Sequence, residues 1–269
     1  MSRIETIGDA TLYLGDAREI LPSFLDASVD FIFTDPPYGH NNNNGDLIAK
    51  WEQALGRGVP GEARPIHNDG PEANELVRWF FGQAKRLLAR GGCCCCCCGG
   101  GGGPDPQFAR WSLWLDEIIG FKQMVVWDKG PMGMGWHYRR SYETVLVGEK
   151  PGGPCNWNDT SGAIENIIRP GQYGIRKIIP QADDHPTPKP VELAAHFIRL
   201  HSKAGEIVLD PFMGHASTAV AARLLGRRFL GVESDPAHYE AAVDRLEAAQ
   251  DQADMFIERT KPAKQEAML

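Results

Sequence analysis

Two carboxylates, each followed by proline, come directly after apolar runs. Asp35 opens the tetrapeptide Asp-Pro-Pro-Tyr (35–38) after the run 29–34, and Asp210 opens Asp-Pro-Phe-Met-Gly (210–214) after the run 207–209. Short apolar runs bounded by proline predict buried strands. Each carboxylate is therefore expected where a strand opens into a loop, which is the usual place for a ligand site in an α/β sheet. A carboxylate there can accept hydrogen bonds from an amine.

The elements that must position these residues alternate along the chain. Apolar and alternating patterns predict seven strands, at 11–14, 29–34, 93–98, 124–127, 142–147, 207–209 and 229–233. Helical spacing and cap residues predict helices at 18–25, 72–90, 107–119 and 217–225, and from Pro190 and Asp235 onward. This alternation predicts an α/β fold with a Rossmann-like, mostly parallel seven-stranded sheet and helices on both faces.

The chain of 269 residues is long enough for one domain with insertions. We predict a single domain over 1–250, inserted loops at 39–70 and 150–184, and a polar tail at 251–269. A net charge of -7 does not indicate a nucleic-acid binder, but binding needs only a local basic surface. Because the sequence shows neither a membrane-length apolar run nor a signal-peptide core, a cytoplasmic protein is expected.

Six of the seven cysteines are contiguous, from Cys93 to Cys98. Neighbouring residues of a strand point to opposite faces, so such a run does not supply the paired spacing of a zinc site. Free cysteine behaves as a small hydrophobic residue. The run is therefore predicted to be a strand buried on both faces, and no metal is expected.

The two proline motifs, in this order and strand context, resemble those of the DNA amino-methyltransferases. The catalytic motif comes first and the cofactor motif last, as in the arrangement called the β class. The resemblance covers most of residues 10–250 and is weakest across the loops 39–70 and 150–184. It implies transfer of a methyl group from S-adenosyl-L-methionine to an exocyclic amine of a DNA base.

The resemblance implies that Asp35, Pro36, Pro37 and Tyr38 form the catalytic motif. The Asp35 carboxylate and the Pro36 carbonyl would accept hydrogen bonds from the target amine, on which positive charge develops during attack. Tyr38 would stack on a base flipped out of the duplex. The competing interpretation is an ordinary turn after a strand, since Asp and Pro favour turns.

The second motif is implied to form the loop under the methionine part of the cofactor, with Asp210, Phe212 and Gly214 as contacts. The sequence departs from the family at Ala216, where a second glycine is usual, and at His215. We expect a slightly altered loop and a retained site, with His215 as a loop residue.

Four further residues are implied to contact the cofactor. Glu233 would bind the ribose hydroxyls, as acidic residues do in dinucleotide sites, and Asp16 the adenine amino group. Thr187 and Lys189 would lie near the methionine carboxylate, and Asp35 borders the same site. The alternatives are that Glu233 is a surface carboxylate, that Asp16 is a turn residue and that residues 185–190 are a proline-rich lead-in to a helix. In that segment Pro188 stands where the family usually has Gln.

Trp127–Lys129 and Tyr142–Glu143 resemble segments that wall the base and cofactor pockets, although Trp127 is equally expected in the core. The Asp form of the catalytic motif favours adenine N6 over cytosine N4. A cysteine nucleophile at Cys155, as in cytosine-C5 enzymes, is set aside because the rest of that pattern is missing.

Two other classes compete with DNA methylation. RNA or protein-glutamine methyltransferases usually place the cofactor motif first, whereas here it is last. A catalytically dead DNA-binding module would be expected to lose Asp35 or the cofactor loop, and both are present.

Double-stranded DNA is the expected partner, contacted by the two loops. Candidates for phosphate contacts are Arg139, Arg140, Arg169, Arg176 and Lys177. The alternative is a solvated surface. No endonuclease motif is apparent, which fits a stand-alone or restriction-modification enzyme of bacterial or phage origin. A homodimer fits relatives of this arrangement, and nothing in the sequence names the target site.

Overall fold

The computed structural model describes residues 3–38, 70, 72–98, 107–130, 141–175 and 189–252. Nine strands lie in these ranges: β1 Arg3–Ile7, β2 Ala10–Leu14, β3 Val29–Thr34, β4 Leu88–Cys98, β5 Phe121–Asp128, β6 Tyr142–Glu149, β7 Ile167–Ile168, β8 Ile207–Asp210 and β9 Arg228–Glu233. The α-helices there are α1 Ala17–Ile20, α2 Ala73–Leu87, α3 Gln107–Ile118, α4 Val191–His201, α5 Ser217–Leu224 and α6 Pro236–Gln252.

All nine strands form one sheet in the order β1-β2-β9-β8-β3-β4-β6-β5-β7. The run from β2 to β4 is parallel, and antiparallel pairs join β1 to β2, β4 to β6 and β6 to β5. The predicted α/β fold with a mostly parallel sheet is confirmed. Each of the seven predicted strands is present.

The sheet has two strands beyond the seven expected, and both lie at its edges. Strand β1 forms a hairpin with β2 through Gly8 and Asp9, and Gly8 adopts a φ of 59°. That Gly-Asp pair is a turn signal that could have revealed the hairpin. Strand β7 is only two residues long and pairs with β5, which is too short for any periodicity to show.

The cysteine run is the central part of β4, as predicted. Its thiol side chains alternate between the two hydrophobic clusters on opposite faces of the sheet, and all six are at most 1% exposed. Burial raises the pKa of the Cys94 and Cys96 thiols, so they stay protonated. The structure explains why the run must be apolar, but nothing in it explains the choice of cysteine at all six positions.

Helices cover both faces of the sheet, as the alternating pattern predicts. One cluster packs α4, α5 and α6 against Phe31 and Phe33. The other packs α2 and α3 against Ile32, with Phe80 and Trp111 fully buried. In α2 the buried positions recur at helical spacing: Leu76, Val77, Phe80, Phe81, Ala84 and Leu87.

The helix boundaries follow from local chemistry. Asp235 caps α6 as predicted, because its carboxylate accepts from the backbone N–H groups of Ala237 at 2.7 Å and His238 at 3.0 Å. The predicted helix 18–25 is shorter, since α1 ends at Ile20 and a 3₁₀ turn covers Leu21–Ser23. Of the predicted loops, 39–69 and 176–184 lie outside the described residues, as does the tail beyond Gln252. No helix of the described ranges is long and apolar enough to cross a membrane.

Candidate active site

Four neighbouring parallel strands deliver acidic side chains to one edge of the sheet. Asp35 follows β3, Asp210 ends β8 and Glu233 ends β9, while Asp16 lies two residues beyond β2. The carboxyl ends of parallel strands meet at the same edge. The structure therefore brings together the described acidic residues that the sequence analysis assigned to the site.

Asp35 is held by two side chains that are distant from each other in sequence. Its Oδ1 accepts a short hydrogen bond from the Tyr38 hydroxyl, and its Oδ2 lies 2.7 Å from Lys189 Nζ. Lys189 Nζ also donates to the Tyr38 hydroxyl at 3.3 Å and lies 5.4 Å from the Tyr38 ring centroid. The structure thus pairs Lys189, expected near a cofactor carboxylate, with the Asp35 carboxylate.

Lys189 is shared with a second carboxylate. Glu143 Oε2 lies 3.0 Å from Lys189 Nζ, and Glu143 Oε1 accepts from Lys129 Nζ at 2.7 Å. Burial alone would raise the pKa of Glu143, but the two ammonium groups outweigh it and lower that pKa to about 2. Burial disfavours the Lys189 cation, yet Asp35 and Glu143 raise its pKa. Glu143 and Lys189 are therefore both charged at neutral pH.

Helix α3 holds Tyr38 from the other side. The side-chain amide of Gln107 donates to the Tyr38 carbonyl, and the Trp111 ring lies 6.1 Å from the Tyr38 ring. The Trp111 indole N–H in turn donates to Asn74 Oδ1 at 2.9 Å. Gln107 was not predicted from the sequence, because no motif marks it. Burial and the nearby Asp35 raise the Tyr38 pKa, so its hydroxyl is neutral.

Asp210 is a buried anchor between elements. Its carboxylate accepts from the Thr34 hydroxyl at 2.7 Å, the Thr218 hydroxyl at 2.6 Å and the Phe212 N–H at 3.1 Å. These bonds tie β8 to the end of β3 and to α5. Burial raises the Asp210 pKa to about 7, although the hydrogen bonds oppose the rise. The Phe212 ring packs edge-on against Phe80, 5.6 Å away.

Glu233 organises the second motif through backbone contacts. Its Oε2 accepts from the Gly214 N–H at 2.9 Å, and its Oε1 from the Asp235 N–H at 2.8 Å. Its own carbonyl accepts from the Gly15 N–H at 2.8 Å, so three loops meet at this residue. Burial raises the pKa of the Glu233 carboxyl.

The loop after β8 has an unusual backbone. Gly214 has a φ of 49° and Ala216 a φ of 59°, both in the left-handed region. A side chain at Gly214 would meet no described atom within 4 Å, so the backbone there borders open space. Alanine adopts this conformation at a cost of about 1–2 kcal/mol relative to a right-handed one. The backbone at Ala216 is therefore strained, and a retained cofactor site there stays a prediction. The His215 ring packs edge-on against His238.

Asp16 follows β2, which neighbours β9 on the side away from β8. It caps α1 by accepting from the Arg18 N–H at 2.8 Å, and it forms an ion pair with the Arg18 guanidinium at 2.6 Å. The Arg18 side chain is about half exposed. An adenine contact for Asp16 stays a prediction.

The remaining predicted residues are placed only in part. Arg169 follows β7, is exposed and forms an ion pair with Glu165. Trp127 is 2% exposed within the core, with Lys129 Nζ 5.7 Å from its ring. Five predicted residues lie outside the described residues: Arg139, Arg140, Arg176, Lys177 and Thr187.

The chemistry of the acidic residues and the loop fits a cationic, nucleoside-bearing cofactor. Glu233 and Asp16 are acceptors for hydroxyl and amino groups, and the backbone at Gly214 leaves room for a ligand. Within the described ranges, no cluster of His, Cys, Asp and Glu could hold a metal ion. Cys155 is exposed as a residue, but partial desolvation of its thiol and the neighbouring Glu149 raise its pKa, which does not favour a nucleophile.

Comparison with known proteins agrees with this geometry. The family model described as "DNA methylase", of the N6 and N4 type, matches residues 29–244. DNA adenine methyltransferase YhdJ of Escherichia coli (strain K12) is 25% identical over 89% of this chain and 83% of its own length. Type II methyltransferase M2.DpnII of Streptococcus pneumoniae is 25% identical over 87% of this chain and 88% of its own.

A solved structure shows the same architecture. The protein TTHA0409 of Thermus thermophilus, complexed with S-adenosyl-L-methionine, has a TM-score of 0.62 and 26% identity. The match covers 88% of this chain and 95% of that chain.

Proposed function

The chain belongs to the N6/N4 DNA methylase family, and from that premise we propose that it methylates the N6 amine of adenine in double-stranded DNA. The family, the enzyme class and S-adenosyl-L-methionine as cofactor were expected from the sequence and are confirmed. The assignment of adenine and the roles of individual residues are the proposed part.

The observation that carries the proposal is that Asp35 and the Glu233 loop lie at the same edge of the sheet, with only strand β8 between their strands. An exocyclic amine is a weak nucleophile because its lone pair is delocalised into the ring. We assign the Asp35 carboxylate and the Pro36 carbonyl to accept the two N–H groups of the target amine. Fixed acceptors favour the positive charge that develops on nitrogen during attack.

The base must leave the duplex to reach Asp35. Tyr38 supplies the stacking surface, and Pro37 stiffens the turn that presents it. Gln107 and Trp111 hold Tyr38 in place through its carbonyl and its ring. The buried Tyr38 hydroxyl binds Asp35, which fixes the orientation of the accepting carboxylate.

When bound, the cofactor supplies a methyl group on a positively charged sulfur. We assign Glu233 to its ribose hydroxyls, Asp16 to its adenine and the Gly214 backbone to close approach at its methionine part. We assign Asp210 and Phe212 to hold the loop after β8 in place. Asp35 borders the same space, and Thr187 and Lys189 stay candidates for the carboxylate end.

Adenine is favoured by the Asp form of the catalytic motif and by the name of the relative YhdJ, a DNA adenine methyltransferase. Cytosine N4 is the second candidate, since the family includes both amines. We place the enzyme in the bacterial cytoplasm, where its DNA substrate is found. Arg169 and the loops 39–70 and 150–184 are the proposed DNA-contacting regions, and a homodimer is the proposed assembly.

The test is methyl transfer to unmethylated duplex DNA, followed by mass spectrometry of the nucleosides. N6-methyladenine supports the proposal. N4-methylcytosine would make cytosine the target base and leave the proposed mechanism unchanged. Methylation only of RNA or protein would overturn it.

The matched variant is Asp35→Ala, which removes both carboxylate oxygens from the target amine. We expect transfer to fall by about 10²- to 10³-fold, with S-adenosylhomocysteine binding retained in calorimetry. Full transfer by this variant would contradict the assigned mechanism.

A further inference from the structure

Charges alternate along a line of side chains that begins at the catalytic carboxylate. Asp35, Lys189, Glu143 and Lys129 follow one another at N···O distances of 2.7, 3.0 and 2.7 Å. We propose that Glu143 is a positioning residue of the methyl-transfer site, acting through Lys189 on Asp35. This inference rests on the proposed function and assigns a role to Glu143 within it.

Lys189 is largely buried, and three oxygens lie close to its ammonium nitrogen, of which Glu143 Oε2 is an ion-pair contact without a hydrogen bond. Its ammonium has three N–H donors, and Asp35 Oδ2, Glu143 Oε2 and the Tyr38 hydroxyl lie within 3.3 Å of Nζ. The side chains of Lys189 and Glu143 are 13% and 18% exposed, whereas that of Asp35 is 33% exposed. Lys129 is 25% exposed, so Asp35 is the most exposed member of the line and the one that we assign to the substrate.

The balance of charge explains why Glu143 matters for catalysis. With Glu143 ionised, the two carboxylates and the two ammonium groups sum to zero. Without that charge the group carries +1 beside the amine on which positive charge develops, which opposes the transition state. Lys189 would also have Asp35 as its remaining carboxylate partner and would compete with the target amine for it.

Sharing of Lys189 also fixes geometry. Glu143 lies in β6, Asp35 follows β3 and Lys189 precedes α4, so the three residues come from three separate segments. Lys129 binds Glu143 through Oε1, whereas Lys189 contacts the other carboxylate oxygen, Oε2. The arrangement keeps the Lys189 ammonium between the two carboxylates.

The experiment compares Glu143→Gln with Glu143→Asp and a matched control. Glutamine keeps the size and removes the charge, whereas aspartate keeps the charge. The control is Glu149→Gln, at the other end of the same strand, where the carboxylate lies 3.0 Å from Lys122 Nζ. We measure kcat, the KM for DNA and S-adenosylhomocysteine affinity for each protein.

We expect Glu143→Gln to lower kcat by about 10- to 100-fold, with S-adenosylhomocysteine affinity within about twofold. Glu143→Asp should recover part of kcat, and Glu149→Gln should match the wild type. A kcat within about twofold of wild type in Glu143→Gln overturns the inference. So does a loss of affinity equal to the loss of kcat, or a Glu143→Asp variant no better than Glu143→Gln.

A second readout does not depend on activity. Amine-directed labelling, followed by peptide mass spectrometry, should modify Lys189 more slowly than the exposed Lys122 in the wild type. In Glu143→Gln the labelling of Lys189 should accelerate while that of Lys122 stays constant; unchanged labelling of Lys189 overturns the inference. If Glu143→Gln does not fold, Glu143→Asp carries the test, since its shorter side chain must still lower kcat at constant affinity.

The two proposals fail differently. A folded wild-type enzyme that methylates no DNA base overturns the proposed function and the inference with it. An active wild type with a fully active Glu143→Gln variant overturns only the inference.

Discussion

The catalytic and cofactor ends of the sheet edge hold their carboxylates by different means. Asp35 and Glu143 are bound by the ammonium of Lys189, across long stretches of chain. Asp210 and Glu233 are bound by hydroxyl and backbone N–H groups, with no described ion pair to either. The first arrangement lowers the pKa of Glu143, and the second leaves burial dominant, so the pKa values of Asp210 and Glu233 rise.

This difference suits two tasks. Backbone N–H groups are fixed by the loops that carry them, so the cofactor end is preorganised, even where its contacts join distant residues such as Thr34 and Asp210. Ion pairs between side chains depend on distant elements keeping their places, so the catalytic end is coupled to the whole sheet. Breaking one buried charge pair should therefore disturb the molecule more than removing one neutral contact.

The largest expected effect is on stability, from Lys189→Met. This variant leaves Asp35 and Glu143 without their shared counter-ion in a largely buried place. We expect the free energy of unfolding to fall by about 3–5 kcal/mol, as measured by urea denaturation. Arg169→Met is the control, because both side chains of the Arg169–Glu165 pair are exposed and the loss of this pair should leave the midpoint nearly unchanged. Equal midpoints for wild type and Lys189→Met would contradict the proposed difference between the catalytic end and the cofactor end.

A pH-dependent effect should distinguish the cofactor end. The folded-state pKa of Asp210 is raised to about 7 from 3.8, so the proton is bound more tightly in the folded protein. The stability that Asp210 contributes is therefore present below 3.8 and lost as the pH rises through about 7. Relative to Asp210→Asn, the wild type should lose at most about 1.4 kcal/mol per pH unit in that window.

Urea midpoints of wild type and Asp210→Asn across this pH window measure the effect. A difference that does not change with pH would mean that Asp210 stays ionised, like Glu143, and the two ends would be alike. Asparagine is the matched replacement, because it keeps the shape and can still bond the two threonine hydroxyls.

The smallest effect is expected from the glycine variant at Ala216. Glycine relieves the left-handed strain but makes the unfolded chain more flexible, so Ala216→Gly should change stability by less than about 1 kcal/mol. Ala216→Val should be destabilising by about 1–3 kcal/mol, because the site is fully buried and the added methyl groups overpack it. Thermal melts of both variants decide; an unchanged melting temperature for Ala216→Val would contradict the tight packing and the left-handed strain at this position.

Much of this site was predictable because it depends on local rules. A carboxylate at the end of an apolar run, as at Asp35 or Glu233, has to emerge at the edge where parallel strands end. The cysteine run was identified as a doubly buried strand from its lack of alternation. Capping by Asp235 followed from the residue type and the proline after it.

The pairings between distant residues were not predictable in the same way. The contact between Lys189 and Asp35 joins residues 154 positions apart, and it depends on where α4 begins relative to β3. Glu143 was noticed only as a pocket wall, and Gln107 carried no signal, since an amide in the first turn of a helix is ordinary. Side-chain partners of this kind are decided by packing of the whole fold.

Because β4 is buried on both faces, labelling of its thiols reports when the sheet opens. Cys155 is exposed, whereas the six thiols of β4 are enclosed by helices from both sides. Cys93 Sγ lies 3.9 Å from the Sγ of Cys155, but a thiol reagent reaches the run from Cys94 to Cys98 only when the middle of the sheet comes apart. The slow phase of labelling therefore reports the lifetime of the sheet's centre, with no engineered probe needed.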